Sequence, residues 1–153
     1  MASNRWTVEI APALVNLAKV RQAIGVHTQM LGINPSAVYH ITLAVEEACS
    51  NIIRHSRRDA RHLSLEIEAT NRCIQVLIKD VGDPFDLERY PSSTTVREAI
   101  KNKLRSGYGI HLIKSLVDEY KYVLNGKGSP DLLLVKHLDG DKKTEVSTHA
   151  GSS

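Results

Sequence analysis

At 153 residues, 42% of them hydrophobic and 24% charged, the chain has the size of one domain with one sizeable core, and its composition excludes disordered and fibrous classes. Its net charge of +3 is scattered, without the concentrated basic face of a nucleic-acid or anionic-membrane binder. The two cysteines lie far apart and favour a reducing compartment, and no apolar run reaches signal-peptide or membrane-span length, so a cytoplasmic protein without membrane or direct nucleic-acid contact is expected.

Trp6, Val8 and Ile10 alternate with polar residues and predict a first strand that ends before Pro12. A helix is expected from Pro12, with Leu14, Leu17, Arg21, Ile24 and Leu31 at helical spacing and Gly32 as its stop, although Gly25 weakens its middle. Asn34-Pro35 is a stronger start signal, because Asn caps free amides and Pro fits the first helical position. A second helix is therefore predicted from about Pro35 to about His55, with Val38, Ile41, Val45, Ala48 and Ile52 as its buried stripe.

Strands are expected at about Leu63 to Ala69 and about Cys73 to Asp80, joined through Thr70-Asn71. In the second, Ile74, Val76 and Ile78 share one face, and Asp80 extends that apolar row with a carboxylate. The stretch from Leu87 to Ser106 reads as a long loop of the lid or binding kind, with Arg97, Lys101, Lys103 and Arg105 near its end. Gly107-Tyr108-Gly109 then opens a helix with Ile110, Ile113, Leu116, Val117 and Tyr120 inward. Strands at about Lys121 to Asn125 and Leu132 to Leu138 complete a single domain, residues 1–138, and residues 139–153 read as a flexible tail.

Three short signals carry chemistry. Glu47 and Asn51 stand four residues apart, about 40° beyond a full helical turn, so their side chains lie one above the other on one flank of the stripe, and His55 continues the line. A carboxylate and an amide so placed supply a base for a hydroxyl and an oxygen ligand for a hard cation, although a bare Glu-x-x-x-Asn also fits a solvated helix edge. In Asp80-Val81-Gly82-Asp83-Pro84-Phe85-Asp86, a carboxylate at a strand end can accept a hydrogen bond from an exocyclic amine such as that of adenine. Gly82 lets the backbone pass close to a ligand and Phe85 walls the turn; an ordinary polar turn with Phe85 plugging the core is the competing reading. Gly107 and Gly109, with Arg105 upstream, place bare amides at a helix start, where a phosphate can bind; a glycine-containing loop before a packed helix is the competing reading, favoured for a lone Gly-x-Gly.

As an ordered set these segments resemble a known family. Ala44-Val45-Glu46-Glu47-Ala48-Cys49-Ser50-Asn51-Ile52-Ile53-Arg54-His55 is similar to the N box of the GHKL superfamily of ATP-binding proteins, Asp80 to Asp86 to its G1 box, and Arg105-Ser106-Gly107-Tyr108-Gly109-Ile110 to its G2 box. The Pro-Phe-Asp ending, the compact lid and Leu116-Val117-Asp118-Glu119 are similar to the bacterial anti-sigma-factor serine/threonine kinases. The resemblance implies an α+β fold, a two-layer sandwich of Bergerat type with helices on one face of a mixed sheet, holding ATP and Mg2+. It implies Glu47 as general base on a protein hydroxyl, Asn51 as magnesium ligand, Asp80 as adenine reader, Gly82 close to the base, and Gly107 and Gly109 around the phosphates with Arg105. It further implies a STAS-type antagonist as substrate, a sigma factor as second partner, and a homodimer. A regulator of the same fold that binds ATP without transferring phosphate is the alternative. The family's last strand pair often opens with Gly-Thr where this chain has Gly128-Ser129-Pro130-Asp131, a departure at one nucleotide contact.

Overall fold

The computed structural model describes residues 4–55, 62–79, 81, 108–126 and 129–138, with backbone only at 55 and 108–110. Strand β1 (Asn4–Ile10) leads through a single 3-10 turn at Leu14–Asn16 into helix α1 (Leu17–Met30), followed by α2 (Pro35–His55), β2 (Leu63–Ala69), β3 (Cys73–Ile78), α3 (Tyr108–Leu116), β4 (Glu119–Val123) and β5 (Asp131–His137).

Period-two alternation builds the sheet. In β2 the residues Leu63, Leu65, Ile67 and Ala69 are buried, whereas Ser64, Glu66 and Glu68 point away from the core; Ile74, Val76 and Ile78 of β3 continue the buried face. Strand order is β1-β2-β3-β5-β4. All four pairings are antiparallel, which corrects the expectation of a mixed sheet. The reason lies in the last hairpin. β4 is not the strand that joins β3; β5 folds back between them, because its run Leu132 to Val135 suits a central position buried on both faces, while Glu119, Tyr120, Lys121 and Tyr122 alternate as an edge strand does.

The helices cover one face of this sheet: α1 contacts β1, and α2 contacts β3, β5, α1 and α3. Helix α2 begins where Asn34-Pro35 predicts, with Asn34 Oδ1 accepting the Ser36 amide hydrogen bond at 2.8 Å. Its buried stripe comprises Ala37, Ile41, Ala44, Val45, Ala48 and Cys49, with Val38 and Ile52 only partly covered. Helix α1 starts later than Pro12 suggests, and Leu14, at 45% exposure, lies outside the core; Val20, Ile24 and Thr28 are the buried residues. Gly32 does end it: its φ of +68° belongs to the left-handed region, and the amides of Gly32 and Ile33 return to Gln29 and Thr28 carbonyls. Helix α3 is shorter than expected. Its last backbone bond runs from Val117 to Ile113, the Asp118 amide already donates to Val135 of β5, and Tyr120 enters the core side from β4 rather than from a helix.

This topology gives the sheet two unlike ends. Register pairs Ile10 with Leu63, Leu65 with Ile78, and Ile78 with Leu132, so β1 and β3 finish, and β2 and β5 begin, at the same end. Helix α2 returns to that end before β2, and α3 departs from it, since the residue after its C-terminal turn is bonded to Val135 toward the opposite end.

Candidate functional site

Glu46 and Glu47 are adjacent in sequence but serve different flanks of α2. Glu46 turns toward α1, where its Oε1 accepts hydrogen bonds from Arg21 Nε and Nη2 at 3.3 and 3.1 Å. Glu47 lies 100° further round the helix and is half-buried, as is Asn51 one turn later. The buried Ala44, Ala48 and Ser50 fix the helix around this pair. His55 keeps the helical backbone register that continues the Glu47–Asn51 line.

Toward the same end of the molecule the buried row Ile74, Val76 and Ile78 terminates. The chain beyond it is held on both sides: the Lys79 amide donates to Ser64 of β2 at 2.9 Å, and the Val81 amide donates to Pro130, just before β5, at 2.9 Å. On the sheet face opposite the helices, Lys79 Nζ lies 3.2 Å from Asp131 Oδ2 and 3.6 Å from Glu66 Oε2, while Asn125 Nδ2 donates to Asp131 Oδ1 at 2.8 Å. The Lys79 ammonium is pushed above the ordinary lysine range, first by its hydrogen bond to Asp131; burial opposes this, and the charges of Asp131 and Glu66 add smaller upward effects.

Of the residues singled out from sequence, Glu47 and Asn51 are thus brought together on one half-buried flank, and Gly109 falls in the first turn of α3. Asp80, Gly82, Phe85, Arg105 and Gly107 lie outside the described residues. Sequence reading missed Lys79 and Asp131 as a pair; a carboxylate opening the apolar run of β5 was the available signal. A cleft of about 470 Å3 opens on the other flank of α2, between α1 and α2, with Gly25, Thr28, Val38, Tyr39 and Leu43 in its wall; Glu47 and Asn51 take no part in it.

A family model described as the histidine kinase-like ATPase domain matches residues 10–132, from the end of β1 into β5. The chain belongs to this ATPase-domain family. Within the histidine kinase-like ATPase domain, the matched span contains both Glu47 and Asn51 and all three sequence signals. The chain is also similar to the serine-protein kinase RsbW of Bacillus subtilis strain 168, 25% identical over 129 residues that cover 81% of this chain and 79% of the relative. RsbW of Bacillus velezensis is 23% identical over 134 residues, 84% of this chain and 82% of its own, and RsbW of Oceanobacillus iheyensis 25% identical over 136 residues, 86% and 84%. No helix among the described residues is long and apolar enough to cross a membrane.

On the Glu46 side of α2, Cys49 is fully buried, its thiol pushed up to about 12 by burial and by the nearby Glu46 charge. The folded state therefore holds the neutral thiol. That contribution is complete below the ordinary thiol value of 9.0 and is lost as pH rises toward about 12. In a Cys73→Ser background, Cys49 is expected to resist a thiol-reactive disulfide reagent at pH 8 until denaturant is added. Prompt labelling of the native protein would show that α2 opens at this position.

Proposed function

We propose that this protein is an ATP-dependent serine/threonine kinase of the anti-sigma type, acting on a STAS-type antagonist protein and binding a sigma factor, as a homodimer. The observation that carries the reading is the pairing of Glu47 and Asn51 on one half-buried flank of α2, at the end of the sheet where β3 finishes and α3 begins. The domain-wide match to histidine kinase-like ATPases and the likeness to serine-protein kinases support it.

An amide oxygen and a carboxylate one helical turn apart are hard donors, the kind that magnesium prefers, so the residues present fit Mg2+. Asn51 would hold the ion, which when bound neutralises phosphate charge. Glu47 accepts the proton of the substrate hydroxyl as that oxygen forms its bond to the γ-phosphorus and the bond to the leaving ADP oxygen breaks. The α3 amino terminus, with Gly107, Gly109 and Arg105, would bind phosphate, and Asp80, Gly82 and Phe85 would receive adenine. The chain thus orients both reactants and removes one proton.

The test is Mg-ATP added to the purified chain, followed by transfer of labelled phosphate to candidate STAS proteins. Saturating nucleotide, at about one hundred times its Kd, is expected to stabilise the fold by about 2.7 kcal/mol and raise Tm by about 5–10 °C. A serine or threonine of one STAS protein should become labelled. No rise in Tm would defeat the nucleotide reading, and a rise without labelling of any candidate would favour the regulator that binds without catalysis.

A further inference from the structure

Gly25 stands in the middle of α1 without a local reason to be glycine. Only proline is a poorer helix former, so a helix interior excludes glycine unless packing or backbone conformation demands it. Neither does here. A Cβ built on Gly25 meets nothing within 4 Å, and the positive φ angles among the described glycines belong to Gly32 and Gly126. The missing side chain leaves its space open, and that space belongs to the cleft of about 470 Å3 between α1 and α2.

The cleft has the character of a ligand site. Its volume falls within the range of small-molecule pockets, about 300–1,000 Å3, and its wall is largely apolar, with Ile33, Val38, Leu43 and the ring of Tyr39. One polar group is left over in it. Thr42 is only 8% exposed, and no hydrogen bond holds its hydroxyl among the described residues, whereas Thr28 in the α1 wall donates its own to the Ile24 carbonyl at 2.7 Å. Buried polar groups are normally paired, so an open hydroxyl in an apolar wall marks the place of a missing partner.

The ends of the cleft select the kind of occupant. The short turn at 31–34 sets the two helices antiparallel, and at one end the ion pair of Arg21 with Glu46, 3.1 Å apart, spans from one helix to the other. Gly25 follows Arg21 by one turn and Thr42 precedes Glu46 by one turn, so the two lie at the same level of the cleft. At the other end stand Ile33 and Pro35, with the Ile33 amide folded back on the Thr28 carbonyl. From Arg21 to Gln29 the α1 wall is about 12 Å long. A docked helix or strand needs open ends; a compact ligand does not. Arg21 and Glu46, the charged residues of the wall, neutralise each other, which leaves no net charge to attract an ion.

We propose that the cleft between α1 and α2 is a binding site for a neutral, apolar ring compound with one hydrogen-bonding group, the ring over Gly25 and the polar group on the Thr42 hydroxyl. The site is separate from the nucleotide reading, because Glu47 and Asn51 lie on the other flank of α2 and take no part in the wall.

The probe is indole, a neutral two-ring compound with one N–H donor, compared with N-methylindole, which lacks the donor. Each is titrated into the isotope-labelled chain and followed by amide chemical shifts, alongside the Tm of every variant without ligand. Wild type should bind indole saturably, with Kd on the order of 1 mM for so small a molecule, and shifts should centre on the amides near Gly25 and Thr42. Gly25→Leu should fill the cleft and weaken both probes at least about tenfold without lowering Tm, and Gly25→Ala should raise Tm by about 2–5 °C. Thr42→Val should weaken indole by about 3- to 10-fold and leave N-methylindole unchanged. Absence of saturable shifts in wild type overturns the proposal. So does undiminished binding by Gly25→Leu, which places the probe elsewhere. If leucine at 25 lowers Tm, Thr42→Val decides: indole bound as tightly as by wild type overturns the proposal. Self-association of wild type through these amides, abolished in Gly25→Leu, would give the cleft to a second copy of the chain and overturn it as well.

Discussion

Glu47→Gln is expected to lower phosphate transfer by about 10²- to 10⁴-fold while leaving the Mg-ATP-dependent rise in Tm in place. Glutamine has nearly the shape and helix propensity of glutamate, so α2 keeps its geometry, and the change removes only the capacity to accept a proton. Its neighbour supplies the control. Glu46→Gln breaks the ion pair with Arg21 at 3.1 Å, but Arg21 is largely exposed there, and such pairs contribute about 0–1 kcal/mol. Transfer by Glu46→Gln should stay close to wild type. The two substitutions, one residue and 100° apart, thus separate a chemical role from a structural one. Labelling of the antagonist at the wild-type rate by Glu47→Gln would remove Glu47 as base, and loss of transfer in both variants would point to the helix as a whole.

What the sequence made legible followed the range of the interactions. The start of α2 could be placed at Pro35 because a cap and a first-turn proline act over three residues, and the Glu47–Asn51 flank because a helical turn is a local constraint. The faces of β2 and β3 followed from alternation alone. The end of α3 did not. Ile113, Leu116, Val117 and Tyr120 fit a helical stripe, yet Tyr120 and Tyr122 fit a strand equally well, and pairing of Tyr120 with Leu134 decides between them. The antiparallel sheet was hidden for the same reason: only the contact of β5 with β3, across more than fifty residues of chain, sets the direction of that pairing. Leu14 has the right spacing for α1 but sits in a 3-10 turn that rotates it outward. The ion pair of Lys79 with Asp131 needed the register of both strands before the two residues could be seen to meet.

The largest stability effect is expected at Leu134→Ala. Leu134 is fully buried in the interior strand β5, opposite Val76 of β3 on one side and Tyr120 of β4 on the other, beneath the layer of α2. Truncation to alanine loses the transfer free energy of the removed atoms and leaves a cavity whose walls belong to two paired strands and cannot collapse freely. The cost should be about 2–5 kcal/mol. Against a total stability of about 5–15 kcal/mol for a domain, this consumes a large share, and Tm should fall by about 5–20 °C. Leu133 tests the assignment of faces, because it is adjacent in sequence but points to the opposite side of the sheet and is only partly buried. Leu133→Ala should cost about 1 kcal/mol, since less apolar area is removed and water can fill the gap. Urea titration reads the difference: the midpoint should drop sharply for Leu134→Ala and slightly for Leu133→Ala, with unchanged slope in both. Equal losses would mean that the outer face is as well packed as the core. A reversed order would mean that β5 is offset by one residue against β3, and such an offset would also part Lys79 from Asp131 at the strand end.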